Sequence, residues 1–415
     1  MQLLQTLRSV MRFRHIELDG NKRRLARAAN VHDLRKIARR RLPRSVFDYI
    51  DGGADDELTM LRNERGFGRV EFRPRVLRDV GEVDTSTTLL GRQLAFPLVL
   101  APTGFTRIVT PGGELDVARA AQRAGLPYSL STLSTRSIEE VAQASAGPKW
   151  FQVYVWKDRE LVKELLDRAS AAGYEAIVIT VDTAVVGNRE RDVRHGFTIP
   201  PKLGLDTILD GILHPSWTWN FVRFEPILFA NVIGKSVGDG NDPISLGSYL
   251  KQQFDPSISW QDIEWFQENW QGSIVIKGIQ SVEDAQIATR SGIQAIAISN
   301  HGGRQLDSAP PAVELVEPIA QAVAGEMEII CDGGIRRGSD IVKALALGAN
   351  ACMMGRPYLY GLAVAGEAGV EFTLNLLQEE VSRTLALIGC TNIADITREL
   401  VSIRSDGDNP TTVAR

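Results

Sequence analysis

The run Ala295-Ile296-Ala297-Ile298 passes directly into Ser299-Asn300-His301-Gly302-Gly303-Arg304-Gln305-Leu306-Asp307. Four consecutive apolar residues before a polar turn predict a strand buried on both faces, as in a parallel sheet covered by helices. The polar residues then fall at its C-terminal end, which in an α/β barrel is the catalytic face. His301 brings an imidazole, the side-chain type suited to serve as a base in neutral water, and Arg304 brings a planar fork that matches a carboxylate. Gly302 and Gly303 let the backbone come close to a bound molecule. A lone histidine is usually structural. A base, a carboxylate fork and a Gly-Gly turn on one strand end favour a site.

Further strand-like runs place this one in a series at 97–101, 127–132, 150–155, 176–182, 273–278, 295–300, 328–332 and 351–355. Helical patterns separate most of them, as at 114–124, 160–172, 282–291 and 340–347. Eight strand-then-helix units predict an α/β fold of the TIM (β/α)8 class over residues 46–415. A basic extension, residues 1–45, precedes it with Lys22-Arg23-Arg24 and Arg39-Arg40-Arg41, helical spacing over 32–41, and Pro43 as the stop. That extension reads as a solvated helix face or a packing arm in an oligomer, with attraction to anionic lipid as the alternative. A long insertion after strand four, about 187–260, holds Pro200-Pro201, Trp217-Thr218-Trp219-Asn220-Phe221 and Pro226-Ile227-Leu228-Phe229-Ala230. Its length suits a lid or binding surface, and its apolar content suits equally the core of a small subdomain or a subunit interface.

Composition narrows the class. With 415 residues, 44% apolar and 24% charged, the chain is an ordinary globular protein with ample material for a large core. A net charge of −4 argues against nucleic acid as a partner. Cys331, Cys352 and Cys390 have neither metal-ligand nor paired spacing, so no metal site is expected and a reducing cytosol is. Neither a secretory signal nor an apolar run of bilayer-spanning length is visible.

Every predicted strand ends in polar residues. Pro102, Thr103 and Gly104 follow the first, where their backbone can lie along a flat ring, and Ser131 ends the second. Gln152 and Tyr154 share a face on the third, as do Thr180 and Asp182 on the fourth. Lys277 comes from the fifth. Asp332-Gly333-Gly334-Ile335-Arg336 and Gly355-Arg356 follow strands seven and eight, where barrels of this class bind phosphate through backbone amides and a helix N-terminus.

Ser-Asn-His-Gly-Gly-Arg-Gln-Leu-Asp resembles the signature of the FMN-dependent L-2-hydroxy-acid oxidases and dehydrogenases, and the resemblance runs from about Val46 to Ile403. Within that family the likeness leans toward the bacterial quinone-linked L-lactate dehydrogenases. The resemblance implies FMN, with Ser131, Gln152, Thr180 and the 102–104 backbone on the pyrimidine edge and Lys277 beside N1. Asp332 is implied on the ribityl chain, and Arg336 and Arg356 at the phosphate. It implies Arg189, Arg304 and Tyr49 at the substrate carboxylate, Tyr154 at its hydroxyl, His301 as base and Asp182 as partner of the imidazolium. Whether His301 takes the carbon-bound or the hydroxyl proton stays open. Leu133 stands where glycolate oxidase has tryptophan, and Gly104 where oxidases usually have alanine. Leu133 argues against glycolate preference, and Gly104 leans toward an acceptor other than oxygen. With the full set of strand-end residues and the aromatic insertion they imply L-lactate oxidation to pyruvate with a quinone or cytochrome as acceptor, an oxygen-using oxidase or monooxygenase and a mandelate-type dehydrogenase being the alternatives. A homotetramer is implied, in the cytoplasm or peripheral on the inner face of the cell membrane.

Overall fold

The computed structural model describes residues 17–195, 204–232 and 253–404. Residues 1–16 of the extension, and 196–203 and 233–252 of the insertion, including Pro200-Pro201, lie outside the described residues. Eight strands, β1 (Leu98–Leu100), β2 (Tyr128–Ser131), β3 (Lys149–Tyr154), β4 (Ala176–Thr180), β5 (Ser273–Ile279), β6 (Ala295–Ser299), β7 (Glu328–Asp332) and β8 (Ala351–Met354), close into a barrel. All neighbouring pairs run parallel, and β8 closes on β1. The fold is the predicted (β/α)8 barrel, and each strand lies on one of the eight predicted runs. Two small additions carry no clear signal in the sequence. Val70–Phe72 pairs with Val401–Ile403, and Thr87–Leu89 with Arg92–Leu94.

The strands form because their β-branched and aliphatic residues are covered from both sides. Ile177, Val178 and Ile179 of β4 and Ala295 to Ile298 of β6 are fully buried, which rewards side chains that pack on a pleated surface. Register brings the polar strand ends together at one level: Ser131 opposite Gln152, Tyr154 opposite Thr180, Thr180 opposite Lys277, and Ser299 opposite Asp332.

The described part of the basic extension packs within its own chain. Helix Val31–Arg41 buries Val31, Leu34 and Ala38 on one face, and packs on helix Arg356–Ala365. Arg24 and Arg41 donate to the Val364 and Ala363 carbonyls at the C-terminal end of that helix, both at 2.8 Å, where backbone carbonyls attract cations. Lys22, Arg23, Arg39 and Arg40 are exposed. Arg35 reaches Asp51 with two bonds of 2.6 and 2.7 Å, and Asp51 also accepts from Arg191 and the Tyr360 hydroxyl. Burial alone would raise the Asp51 carboxyl, but Arg35, Tyr360 and Arg356 hold it down at about 2. This junction fixes the segment that carries Tyr49 and Gly52 over the barrel mouth.

The insertion divides into two parts. Phe229, Asn231 and Val232 are buried, so this end of the insertion joins the core, while Pro226 stays exposed. Helices Leu205–Leu213 and Pro215–Arg223 form a hairpin anchored by Trp217, whose indole donates to the Ile108 carbonyl at 2.8 Å. The hairpin leaves Ile208, Leu209, Ile212, Leu213, Trp219 and Val222 exposed.

Candidate active site

The C-terminal ends of the strands open on a cavity of about 670 Å³. It is lined by Tyr49, Pro102, Thr103, Gly104, Gln152, Tyr154, Thr180, Arg189, Lys277, His301, Arg304, Asp332, Gly333, Gly334, Arg336, Gly355 and Arg356. These are the residues expected at the site, with Ser131 and Asp182 set just behind. Ser131 Oγ donates to Gln152 Oε1 at 3.0 Å, and Gln152 Nε2 donates to Thr180 Oγ1 at 3.0 Å. Ser131 therefore orients the amide that faces the cavity.

His301 is held in the left-handed region at φ 58°, a conformation histidine tolerates better than most residues. Its backbone N–H donates to Ser299 Oγ at 3.0 Å. The Asn300 side chain exchanges two 2.8 Å bonds with Asn63, and its oxygen accepts from Gly303 N–H at 3.1 Å. The ring is thus aimed by the loop that carries it. His301 Nδ1 lies 2.9 Å from Asp182 Oδ1. Burial pushes the Asp182 carboxyl up, but His301 and Lys277 outweigh it and hold it below the usual carboxylate range. An ionised Asp182 only accepts, so Nδ1 carries the proton and Nε2 is left as the basic nitrogen. Asp182 approaches this closely because Gly278 has no side chain: its φ is 116°, β5 shifts register there, and a Cβ would stand 2.8 Å from that of Asp182.

Lys277 is fully buried, with Nζ 2.9 Å from both Ser299 Oγ and Asp332 Oδ2. Burial would lower its pKa, but Asp332 and Asp182 raise it above the ordinary value, so the ammonium is a fixed positive charge in a dry site. Around Tyr49 the guanidinium groups of Arg189 and Arg304 lie 5.5 and 5.3 Å from the ring centre. Arg304 Nη1 donates to the Tyr49 and Gly52 carbonyls at 2.7 and 3.1 Å. Burial and the neighbouring Arg189 bring its pKa down to about 10, so it stays charged at neutral pH. Tyr154 packs edge-on against Phe254 at 5.2 Å, and burial raises its phenol well above the ordinary value. It is therefore a hydroxyl donor throughout the neutral range.

The far end has the shape of a phosphate cradle. Gly334, at φ 83°, lies where a Cβ would come within 2.1 Å of the Asn63 carbonyl, so only glycine turns here. Gly355 caps helix Arg356–Ala365, whose first residues line the cavity. Arg336 pairs with Glu64 at 2.8 Å through one terminal nitrogen, while its buried Nε has no hydrogen-bond partner among the described residues. Arg356 also holds backbone together: it donates to the Asp51, Gly302 and Gly52 carbonyls at 3.1, 2.8 and 2.7 Å, stapling the Tyr49 segment to the His301 loop. Glycine turns, a helix N-terminus and an incompletely bonded arginine at one end, with amide and hydroxyl groups and Lys277 at the other, fit a phosphate-bearing ring cofactor.

Several lining residues are not evident from the sequence. Phe229 and Phe254 from the insertion wall the cavity beside Leu133. Gln305 Nε2 donates to the Asp182 and Val185 carbonyls, and its Oε1 accepts from Gly187 N–H, all at 2.9 Å. It ties the loop carrying Arg189 to the loop carrying His301. Asp192, three residues past Arg189, is another; that spacing on a helix is the signal that points to it.

A barrel with a carboxylate-paired histidine, two arginines and a phosphate cradle on one face defines a flavin-linked oxidoreductase of 2-hydroxy acids. The chain belongs to the FMN-dependent dehydrogenase family, which residues 38–403 match; FMN is its cofactor. It is 44% identical over 406 residues, 97% of this chain and 96% of the other, to a protein of Mycobacterium tuberculosis (strain ATCC 25618 / H37Rv) named "Putative L-lactate dehydrogenase". Glycolate oxidase 1 of Oryza sativa subsp. indica is 41% identical over 379 residues, 91% of this chain and 96% of that one. The crystal structure of the monotopic membrane protein (S)-mandelate dehydrogenase superposes with a TM-score of 0.87 at 39% identity, covering 91% of this chain and 100% of that one.

Proposed function

We propose that this chain oxidises L-lactate to pyruvate and passes the electrons to a quinone or cytochrome, as a homotetramer. The observation that carries the chemistry is the 2.9 Å His301–Asp182 pair opening on the cavity that Arg189 and Arg304 also line. In this reading the two arginines fix the substrate carboxylate, which sets both position and rotation. Tyr154 donates to the substrate hydroxyl. His301 Nε2 takes a proton, and Asp182 stabilises the imidazolium that results. Bound FMN supplies the two-electron acceptor. Lys277, buried beside Asp332, supplies positive charge at the ring end of the cavity. Supporting lactate are the name of the 44% identical relative and the small apolar Leu133. Gly104 lies against Leu133, whose carbonyl a Cβ there would meet at 3.2 Å, and it leans toward an acceptor other than oxygen.

A second reading, a bulkier aryl 2-hydroxy acid, is favoured by the Phe229 and Phe254 walls and by the mandelate dehydrogenase superposition. Anaerobic mixing of the flavin-loaded protein with L-lactate, followed at the visible flavin band, separates the two. Rapid bleaching is expected. Bleaching by (S)-mandelate but not by lactate would transfer the proposal to the aryl acids, and oxygen uptake matching substrate loss would replace the quinone with oxygen.

No helix among the described residues is long and apolar enough to cross a membrane. The exposed apolar face of the 205–223 hairpin supports peripheral contact with the inner face of the cell membrane, since an amphipathic helix gains by burying such a face at the headgroup boundary. Arg44 stands beside it, its N–H donating to Asp210 at 2.5 Å. Wild-type protein is expected to float with vesicles rich in anionic phospholipid. The double variant Leu209→Glu, Leu213→Glu is expected to lose about tenfold of that binding while keeping its flavin. Equal flotation of the two proteins would take the hairpin out of this role.

A further inference from the structure

Asp192 is a buried carboxylate in the wall of the substrate end of the cavity. It sits on the short helix Glu190–Arg194, with Oδ2 3.3 Å from Arg189 Nε. Arg304 also acts on it electrostatically, while the hydrogen bonds of Arg304 run to the backbone carbonyls of Tyr49 and Gly52. Of the two guanidinium charges that line the subsite, the Asp192 carboxylate offsets one. The other cations in the wall lie away from this subsite: Lys277 pairs with Asp332, and Arg336 and Arg356 belong to the phosphate cradle at the far end. Beyond the arginines the wall holds Leu133, Val186, Val193, Phe229 and Phe254 with the uncharged Thr183, Asn188 and Gln305, so the described residues there offer no further arginine or lysine to pair with a second carboxylate.

We propose that Asp192, acting through Arg189, sets the charge of this subsite so that it takes monocarboxylic 2-hydroxy acids and turns dicarboxylic ones away. The inference rests on the functional reading above for what the subsite binds. Asp192 is a selectivity and positioning residue, since it neutralises one arginine instead of touching the reacting atoms. Its negative charge opposes a dianion about twice as strongly as a monoanion of the same shape. Removing that charge therefore changes the ratio of two affinities, which a helix-capping role does not do.

Oxamate and oxalate have nearly the same shape and differ by one charge, so they are the probes. Each is titrated into flavin-loaded wild-type protein, Asp192→Asn, Asp192→Ser and Asp192→Glu, with binding read from the shift in the flavin visible spectrum. The Asn and Ser variants are expected to tighten oxalate about tenfold or more relative to oxamate. The Glu variant, which keeps the charge, is expected to hold the wild-type ratio. An unchanged ratio in the Asn and Ser variants, or equal weakening of both ligands, overturns the proposal. The titration needs no turnover, so a protein that bleaches with no 2-hydroxy acid would lose the functional reading while the ratio still reported on Asp192.

Discussion

His301→Gln is expected to leave a yellow protein that 2-hydroxy acids no longer bleach, with the anaerobic reduction rate down by about 10³-fold or more. Glutamine retains polar atoms in place of the imidazole but offers no base near neutral pH. The loop should survive the change. Its aim comes from Ser299 Oγ on the His301 N–H and from the Asn63–Asn300 pair, not from the ring, and the φ of 58° is a cost histidine already bears. Flavin content and carboxylate binding should both persist, because the cradle around Gly334 and Arg336 and the Arg189–Arg304 pair do not involve the imidazole. Asp182→Asn should follow in the same direction: an amide cannot stabilise the imidazolium, and it can present N–H to Nδ1 and favour the wrong tautomer. Reduction of the His301→Gln protein within tenfold of the wild-type rate would take the base role away from this residue.

What was legible from the chain and what was not divide along physical lines. The barrel was legible because each strand is a short apolar run with no competing pattern, and Ile296 or Val178 has no stable place except between sheet and helices. The site was legible where chemistry sits on a strand end, since register sets Ser131 opposite Gln152, Tyr154 opposite Thr180 and Thr180 opposite Lys277, and His301 follows just past the end of β6. Asp182 is 119 residues from His301 in sequence, yet its place after β4 sufficed. Side-chain commitments did not show. Ser131 stands behind Gln152, and Arg356 binds three carbonyls, because a side chain's partners depend on loops whose path no periodicity specifies. The basic run 22–41 hid a similar ambiguity. The helical spacing over 32–41 read as a solvated face or a packing arm in an oligomer, and nothing in the sequence named helix Arg356–Ala365 of the same chain as the partner of Val31, Leu34 and Ala38. Phe254 belongs to an insertion without strand periodicity, so its arrival at the cavity could be read only from the fold, whereas Asp192 carried a signal in its three-residue spacing from Arg189.

Replacing Arg304 by lysine keeps a basic side chain and is nonetheless expected to raise KM for the 2-hydroxy acid by about 100-fold and to lower kcat as well. Two losses act together. The planar fork that holds a carboxylate in two bonds becomes a single point donor, so the substrate keeps attraction but loses orientation. The ties from Nη1 to the Tyr49 and Gly52 carbonyls are lost too, which frees the segment that closes the cavity. A third consequence is a change in pH dependence. Burial and Arg189 bring the Arg304 pKa down to about 10, and a guanidinium at that value remains charged through neutral pH. The same surroundings act on an ammonium from a lower starting value and push it toward the neutral amine. Because a lysine with a depressed pKa is charged only below that value, KM of the Arg304→Lys protein should fall as pH is lowered from about 9 toward 7. The wild-type KM should show no such step from Arg304 in that range. A lysine variant with a wild-type KM and no added pH dependence would mean that Arg304 holds the backbone of Tyr49 and Gly52 but does not hold the substrate.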